Sequence, residues 1–409
     1  MSAERVRIDR LASGGDGVGR LGDGRTVFVP RAAPGDLIEL RGIRRYRRFA
    51  RARIASLDEA SGDRVDPPCP HYVRDDCGGC QLQHLAAEAQ RRARRTFVGD
   101  ALRRIGRIDV EDPPLVAAPS DWAYRTKLTL HARGRSIGLH PLDDPEGVFD
   151  LETCLITSHA LVELWQAVRS RRDFLPAGLT RVVLRLDRGG TRHLIAETET
   201  ADDWDAAARL ARALADANVP ATLWHRVGDR TRRASGAVHE PLSVSSFEQV
   251  HPLMGDAVRR WALEQAGDLA GLHAWDLYAG LGATTAALAA RGATVESVES
   301  DADAVAHADG VGPTGGVTRH AARAESVVHR LRSPGLVVTN PPRTGMHAIV
   351  TAVLRESGAR RIIYISCDPA TLARDLERLG PAYRIAEIRA FDLFPQTAHV
   401  ESVVVLDRA

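Results

Sequence analysis

The stretch His273–Asp301, HAWDLYAGLGATTAALAARGATVESVESD, decides the fold of the C-terminal part of this 409-residue chain. An apolar run, HAWDLY, gives way to a turn holding Gly280 and Gly282, then to an alanine-rich segment of helical length, then to a second apolar run, TVESVES. Strand, glycine turn, helix, strand is the unit of a parallel sheet, because a parallel crossover needs a helix to bring the chain back to the same edge. The glycines let the backbone turn tightly and approach a ligand at the helix N-terminus. Glu299 closes the second strand about 20 residues on, where a carboxylate can accept hydrogen bonds from two ribose hydroxyls. Two more compact apolar runs, GLVVTN and RIIYIS, continue the alternation. Residues 242–409 are therefore expected to form a doubly wound α/β, Rossmann-like domain. The glycine pair alone is also compatible with an ordinary βαβ turn that binds nothing.

The dinucleotide fingerprint wants a third glycine early in the helix, and that position falls here in ATTAAL. Asp276, three residues, Gly280, one residue, Gly282 instead resembles the first motif of S-adenosylmethionine (SAM) methyltransferases. A later strand ends in NPPRTG, Asn340 to Gly345, a rigid polar corner at the carboxyl edge of the sheet, where open α/β folds keep their chemistry. One strand further, YISCDPATLARDL places Cys367 at the same edge. A lone cysteine is more often an inert core residue, but Asp368 and Pro369 turn the chain immediately after it. Glu401, beside His399, enters the final apolar strand, and a carboxylate there is costly without a task or a partner.

The remainder divides by texture. Residues 1–58 alternate short β-like runs with glycine turns and read as a small β-barrel. Arg44, Arg45, Arg47, Arg48, Arg51 and Arg53, with Tyr46 and Phe49 among them, form a basic and aromatic strip suited to nucleic-acid backbone and bases. The competing reading is a solvated strand edge with two core aromatics. Residues 59–241 carry a polar helix near 85–105 and then strands with one further helix, an α+β central domain. Net charge is only +2, yet Lys127 is the single lysine, so the positive charge is almost all arginine. No run has signal-peptide or membrane-spanning character, which points to a cytoplasmic protein with no membrane partner. In a reducing compartment closely spaced cysteines indicate metal or catalysis. Cys69, Cys77 and Cys80 are close in sequence and Cys154 stands alone, a set able to bind zinc or an iron–sulfur cluster.

DLYAGLGATT, NPPRTG, YISCDPATLARDL and DLFPQTAHVE, in that order, resemble the RNA uracil-5-methyltransferases. With the N-terminal barrel, similar to a TRAM domain, and the CGGCQLQH string, the likeness covers nearly the whole chain and is closest to the branch acting on large-subunit ribosomal RNA. The resemblance implies SAM as cofactor, RNA as partner with ribosomal favoured over transfer RNA, a monomer, and a [4Fe-4S] cluster on Cys69, Cys77, Cys80 and Cys154. It makes Cys367 the nucleophile and Glu401 the general base. It assigns Gln249, Tyr278, Gly280, Glu299 and Asn340 to cofactor and substrate. Asn340 stands where the family has Asp, and it can donate as well as accept hydrogen bonds. His251, Ala283 and Arg323 are further departures. Other readings are methylation of another pyrimidine or of transfer RNA, an amino-methyltransferase, and an RNA-binding or ribosome-assembly homologue with weakened catalysis.

Overall fold

The computed structural model describes residues 4–200, 202–236, 249–313 and 315–409. The boundary expected at residue 242 lies outside the described residues.

Five strands, β1 (Arg5–Leu11), β2 (Gly17–Arg20), β3 (Thr26–Val29), β4 (Leu37–Arg45) and β5 (Phe49–Glu59), close into a barrel in the order β1-β2-β3-β5-β4. Closure removes the free sheet edges. Val6, Ile8, Val27, Val29, Ile38, Leu40, Ala50 and Ala52 fill the interior, as period-two alternation requires. The cysteine segment follows, with the short helix α1 (Pro70–Arg74). Next come the long helix α2 (Ala87–Arg104) and the short strand β6 (Leu115–Val116).

The central sheet uses β7 (Lys127–Arg133), β8 (Ser136–Leu139), β9 (Phe149–Asp150), β10 (Leu179–Leu186), β11 (Arg192–Thr198), β12 (Thr222–Val227) and β13 (Arg230–Ser235), in the order β13-β12-β11-β10-β7-β8-β9. Helices α3 (His159–Arg169) and α4 (Ala207–Asp216) cover one face, burying Leu161, Trp165, Leu210 and Leu214 against Leu130, Val182, Leu184 and Leu194.

The C-terminal part comprises α5 (Pro252–Glu264), β14 (His273–Leu277), α6 (Ala283–Ala290), β15 (Thr294–Glu299), α7 (Ala302–Val311), β16 (Val317–Ala321), α8 (Ala324–Val327), β17 (Leu336–Thr339), α9 (Ala348–Glu356), β18 (Arg361–Ser366), α10 (Pro369–Leu379), β19 (Tyr383–Phe391) and β20 (Glu401–Arg408). Its eight-stranded sheet runs β16-β15-β14-β17-β18-β20-β19-β6. Strand order reverses between β14 and β17, the switch point at which open α/β sheets leave a crevice. β20 alone runs against its neighbours, and this has a direct consequence for chemistry. Its first residues lie at the edge where the parallel strands end, with Ser402 paired to Ser366. Cys367 and Glu401 are the next positions on the two chains at that edge.

Helix α2 belongs by packing to this C-terminal sheet. Val98, Ala101 and Leu102 enter the same core as Leu372, Leu376 and Ala390, and β6 pairs with β19. Polar, alanine-rich composition located the helix in the sequence but carried no signal for which sheet it would cover.

Candidate active site

Tyr278, Gly280 and Gly282 all have positive φ, of 62°, 54° and 79°. Gly280 and Gly282 take this conformation freely, whereas Tyr278 is a strained exception of the kind that clusters at functional sites. Glu299 braces the turn: its Oε2 accepts from the Gly280 amide at 2.9 Å and its Oε1 from the Asp301 amide at 2.8 Å. A carboxylate has further lone pairs to offer a ligand. Asp276, fully buried at the end of β14, accepts from Thr285 Oγ1 at 2.6 Å, and burial pushes its carboxyl up to about 7.

This turn opens onto a cavity of about 1360 Å³. Every expected catalytic and cofactor residue lines it: Cys367, Glu401, Gln249, Tyr278, Gly280, Glu299 and Asn340. Ala283 and Arg323 also face it. His251 does not line it; it is buried, stacks on Tyr124 at 4.8 Å and is held neutral by burial, which pushes its pKa down to about 4.

Cys367, Glu401 and Arg343 form a group within the same lining. Glu401 is 1% exposed, and its Oε2 has no hydrogen-bond partner among the described residues. Burial pushes its carboxyl up to about 8, against which the Arg343 guanidinium pulls. The Cys367 thiol is pushed up, first by burial and then by the charge of Glu401, and drawn back by Arg343. Arg343 also meets His399 Nε2 at 3.4 Å, and burial lowers that imidazole to about 4, leaving it neutral. One arginine therefore acts on both groups at once. In the sequence Arg343 was assigned no role; its position directly after the two prolines of NPPRTG was the available signal.

The NPPRTG corner is held from behind. Asp375, fully buried on α10, accepts from the Met346 amide at 2.7 Å and from Tyr364 Oη at 2.8 Å, and pairs with Arg374 and Arg378. Arg374 Nη2 also donates to Thr344 O at 2.8 Å. Further cations, Arg125, Arg185 and Arg188, also line the cavity, as does Asp187.

Cys69, Cys80 and Cys154 share one buried cluster with Tyr72, Tyr124 and Ile156. Burial raises the thiols of Cys77 and Cys80, and the other cysteines of the set raise both further. The sequence-distant Cys154 is thus brought to the other three. Among the described residues, however, no group of three or more His, Cys, Asp or Glu has the closeness that a metal ion requires. No helix among them is long and apolar enough to cross a membrane.

On the barrel, the basic strip divides. Arg44, Arg47, Arg48 and Arg51 are exposed. Arg53 instead pairs with Asp76 and Asp143, and Arg45 with Glu4. Tyr46 is 45% exposed and stacks on Phe49 at 4.6 Å, so this aromatic is no core residue.

Residues 318–409 match the tRNA (uracil-5-)-methyltransferase family and residues 2–55 the TRAM domain. A protein of Nitratidesulfovibrio vulgaris described as an uncharacterized RNA methyltransferase is 32% identical, the alignment covering 98% of this chain and 95% of that one. One of Streptomyces avermitilis with the same description is also 32% identical, over 99% and 98% of the two chains. The crystal structure of Pyrococcus abyssi tRNA (uracil-54, C5)-methyltransferase in complex with S-adenosyl-L-homocysteine shares the fold, with a TM-score of 0.74 at 22% identity over 98% of this chain and 99% of that one. The chain belongs to the TRAM-bearing RNA methyltransferases of the uracil-5 family. It is a SAM-dependent enzyme acting on RNA.

Proposed function

We propose that the protein methylates carbon 5 of a uridine in RNA through a covalent adduct on Cys367. The observation that supports this reading is that Cys367, Glu401 and Arg343, which influence one another electrostatically, line the same cavity as the Gly280 turn and Glu299. Carbon 5 of uracil is a weak nucleophile. Addition of the Cys367 thiolate to carbon 6 pushes the ring electrons into an enolate, and carbon 5 then attacks the SAM methyl group, releasing S-adenosylhomocysteine. Carbon 5 now bears a methyl group and a proton. Glu401 takes the proton, the C–H electron pair forms the 5,6 double bond, and the carbon–sulfur bond breaks to return the thiolate. Arg343 favours the ionised form of both groups and so lowers the barrier to each step.

Tyr278, Gly280 and Glu299 hold the cofactor in this reading, with Gln249 and Asn340 between cofactor and base. The base must leave its stack to reach the buried edge, so the substrate is a loop or single strand, or a nucleotide that the enzyme flips out. The exposed arginines and Tyr46 of the barrel hold the flanking RNA. Ribosomal RNA is the proposed substrate, in the cytoplasm, with the enzyme a monomer. The domains are proposed as 1–58, 59–241 and 242–409 along the chain, with α2 and β6 of the second packed into the sheet and core of the third.

Three buried thiols and a half-buried fourth are a soft donor set, and the influence of Cys69 and Cys154 on both Cys77 and Cys80 supports a [4Fe-4S] cluster on Cys69, Cys77, Cys80 and Cys154. A four-iron cube holds its sulfur ligands further apart than one ion does, which accommodates the absence of single-ion geometry. When bound, such a cluster would supply cross-linking of the segment.

Labelled SAM incubated with ribosomal and transfer RNA from a strain lacking the gene, followed by nucleoside digestion, tests the reading. Labelled 5-methyluridine in the ribosomal fraction is expected. Label in 5-methylcytidine or in an exocyclic amine would overturn it, and 5-methyluridine in transfer RNA alone would overturn the choice of RNA.

A further inference from the structure

Glu401 is delivered to the cavity by the turn at residues 392–400, and most of the polar contacts that fix this turn come from outside the C-terminal chain segment. Gln81, next to Cys80, accepts from the Ala398 amide at 3.2 Å and donates through Nε2 to Gly78 O at 2.8 Å, inside the cysteine loop. The Leu82 amide donates to Gln396 O at 3.0 Å. From α2, Gln90 Nε2 donates to Gln396 Oε1 at 2.9 Å and Gln90 Oε1 accepts from the Gln396 backbone amide at 3.1 Å. Arg94 donates to Thr397 O at 3.1 Å and pairs with Asp392 at 3.1 Å, both side chains 1% exposed. Tyr124 Oη donates to Pro395 O at 3.0 Å. Gln396 has a φ of 70°, which these contacts oblige a non-glycine residue to hold. The barrel closes the assembly: a Cβ on Gly15 would lie 2.9 Å from Gln81 Cβ and 3.2 Å from Ala398 Cβ, so only glycine fits there.

Cys367 is anchored differently. The Asp368 amide donates to Ser366 Oγ and Asp368 Oδ1 accepts from the Thr371 amide, all within the β18–α10 connection. The nucleophile is thus placed by the methyltransferase fold itself, and the carboxylate by a clamp from the cysteine segment and α2.

We propose that Gln81 is a positioning residue for Glu401, coupling the cysteine loop to proton removal. This rests on the roles of Cys367 and Glu401 in the proposed function. Loosening the clamp should leave addition of the thiolate nearly intact and slow resolution of the adduct, so that covalent protein–RNA complex accumulates.

Single-turnover reactions with SAM and RNA, read by denaturing gel for the adduct and by methyl incorporation, test this. In Gln81→Ala, adduct formation is expected within about twofold of wild type and adduct release about tenfold slower, the effect of one misplaced hydrogen-bonded group. Gln81→Glu keeps the acceptor for Ala398 but loses the donor to Gly78 O, so release is expected between the Gln81→Ala and wild-type rates. Gln90→Met loosens the same turn from α2 and serves as the second variant should Gln81→Ala not fold. Release at the wild-type rate, or formation and release falling in step, would overturn the proposal. A Glu401→Gln control separates the two readings. If it traps adduct while the clamp variants behave as wild type, only the positioning claim fails. If it traps none, the covalent mechanism fails.

Discussion

Glu401 and Cys367 pose one electrostatic problem from two sides. Each must ionise to act, and each is buried enough to resist doing so. With its carboxyl at about 8, Glu401 is mostly protonated at neutral pH, and its ionised fraction falls tenfold for each pH unit below that value. Adduct resolution measured in single turnovers should therefore rise with pH to about 8 and level off above it. Arg343→Ala removes the charge that favours both anions, so the inflection should move upward and adduct formation should slow. The same shift has a stability consequence. A carboxyl whose folded pKa lies above its unfolded value destabilises the fold as pH rises from the unfolded value, 4.5, through about 8. Glu401→Gln should accordingly stabilise the protein at pH 7.5, by on the order of a few kcal/mol, with the gain vanishing near pH 4. Thermal melts at the two pH values check this; an equal melting difference at both would contradict it.

Single elements carry much of what holds these groups. Helix α10 contributes Asp375, whose four partners fasten the NPPRTG corner. Asp375→Ala strands the Met346 amide and the Tyr364 hydroxyl, and should cost about 3 kcal/mol in denaturant unfolding and most of the activity. On the barrel, Tyr46→Ala and the pair Arg47→Ala, Arg48→Ala should weaken RNA binding, the pair flattening the slope of log affinity against log salt by about two. Binding titrations at several salt concentrations separate this from the aromatic contribution, which leaves the slope unchanged. These elements differed in how far the sequence disclosed them. Apolar runs and glycine turns were enough for β14, α6, β15, β17 and β18, because local pattern and parallel topology agree there. The reversal of β20 was not visible in its uniformly apolar run, yet it is what brings Glu401 beside Cys367. Arg53 looked like part of a basic surface and proved to be a strut to Asp76 and Asp143, since charge spacing carries no information about long-range partners.

Across the whole molecule, the barrel, the cysteine segment, α2 and the C-terminal sheet meet around one turn, and the cavity lies between the C-terminal sheet and the arginines of the central segment. The cysteine motif was legible because four of the chain's five cysteines fall within its first 154 residues; the use to which Gln81 and Gln90 are put was not, since glutamine has no distinctive pattern and acts here across some 300 residues. Anaerobically purified protein should contain about four irons per chain and absorb broadly in the visible. Cys80→Ala should abolish both and lower the melting temperature, whereas a colourless, zinc-containing protein would contradict the cluster assignment. All of this serves a single bond between Cys367 Sγ and carbon 6 of a pyrimidine. Mass spectrometry of Glu401→Gln after reaction with SAM and RNA, nuclease digestion and proteolysis observes that bond most directly. A peptide spanning Cys367 that carries a methylated uridine nucleotide is the expected result. An unmodified Cys367 peptide from a preparation whose wild-type counterpart methylates RNA would contradict the account.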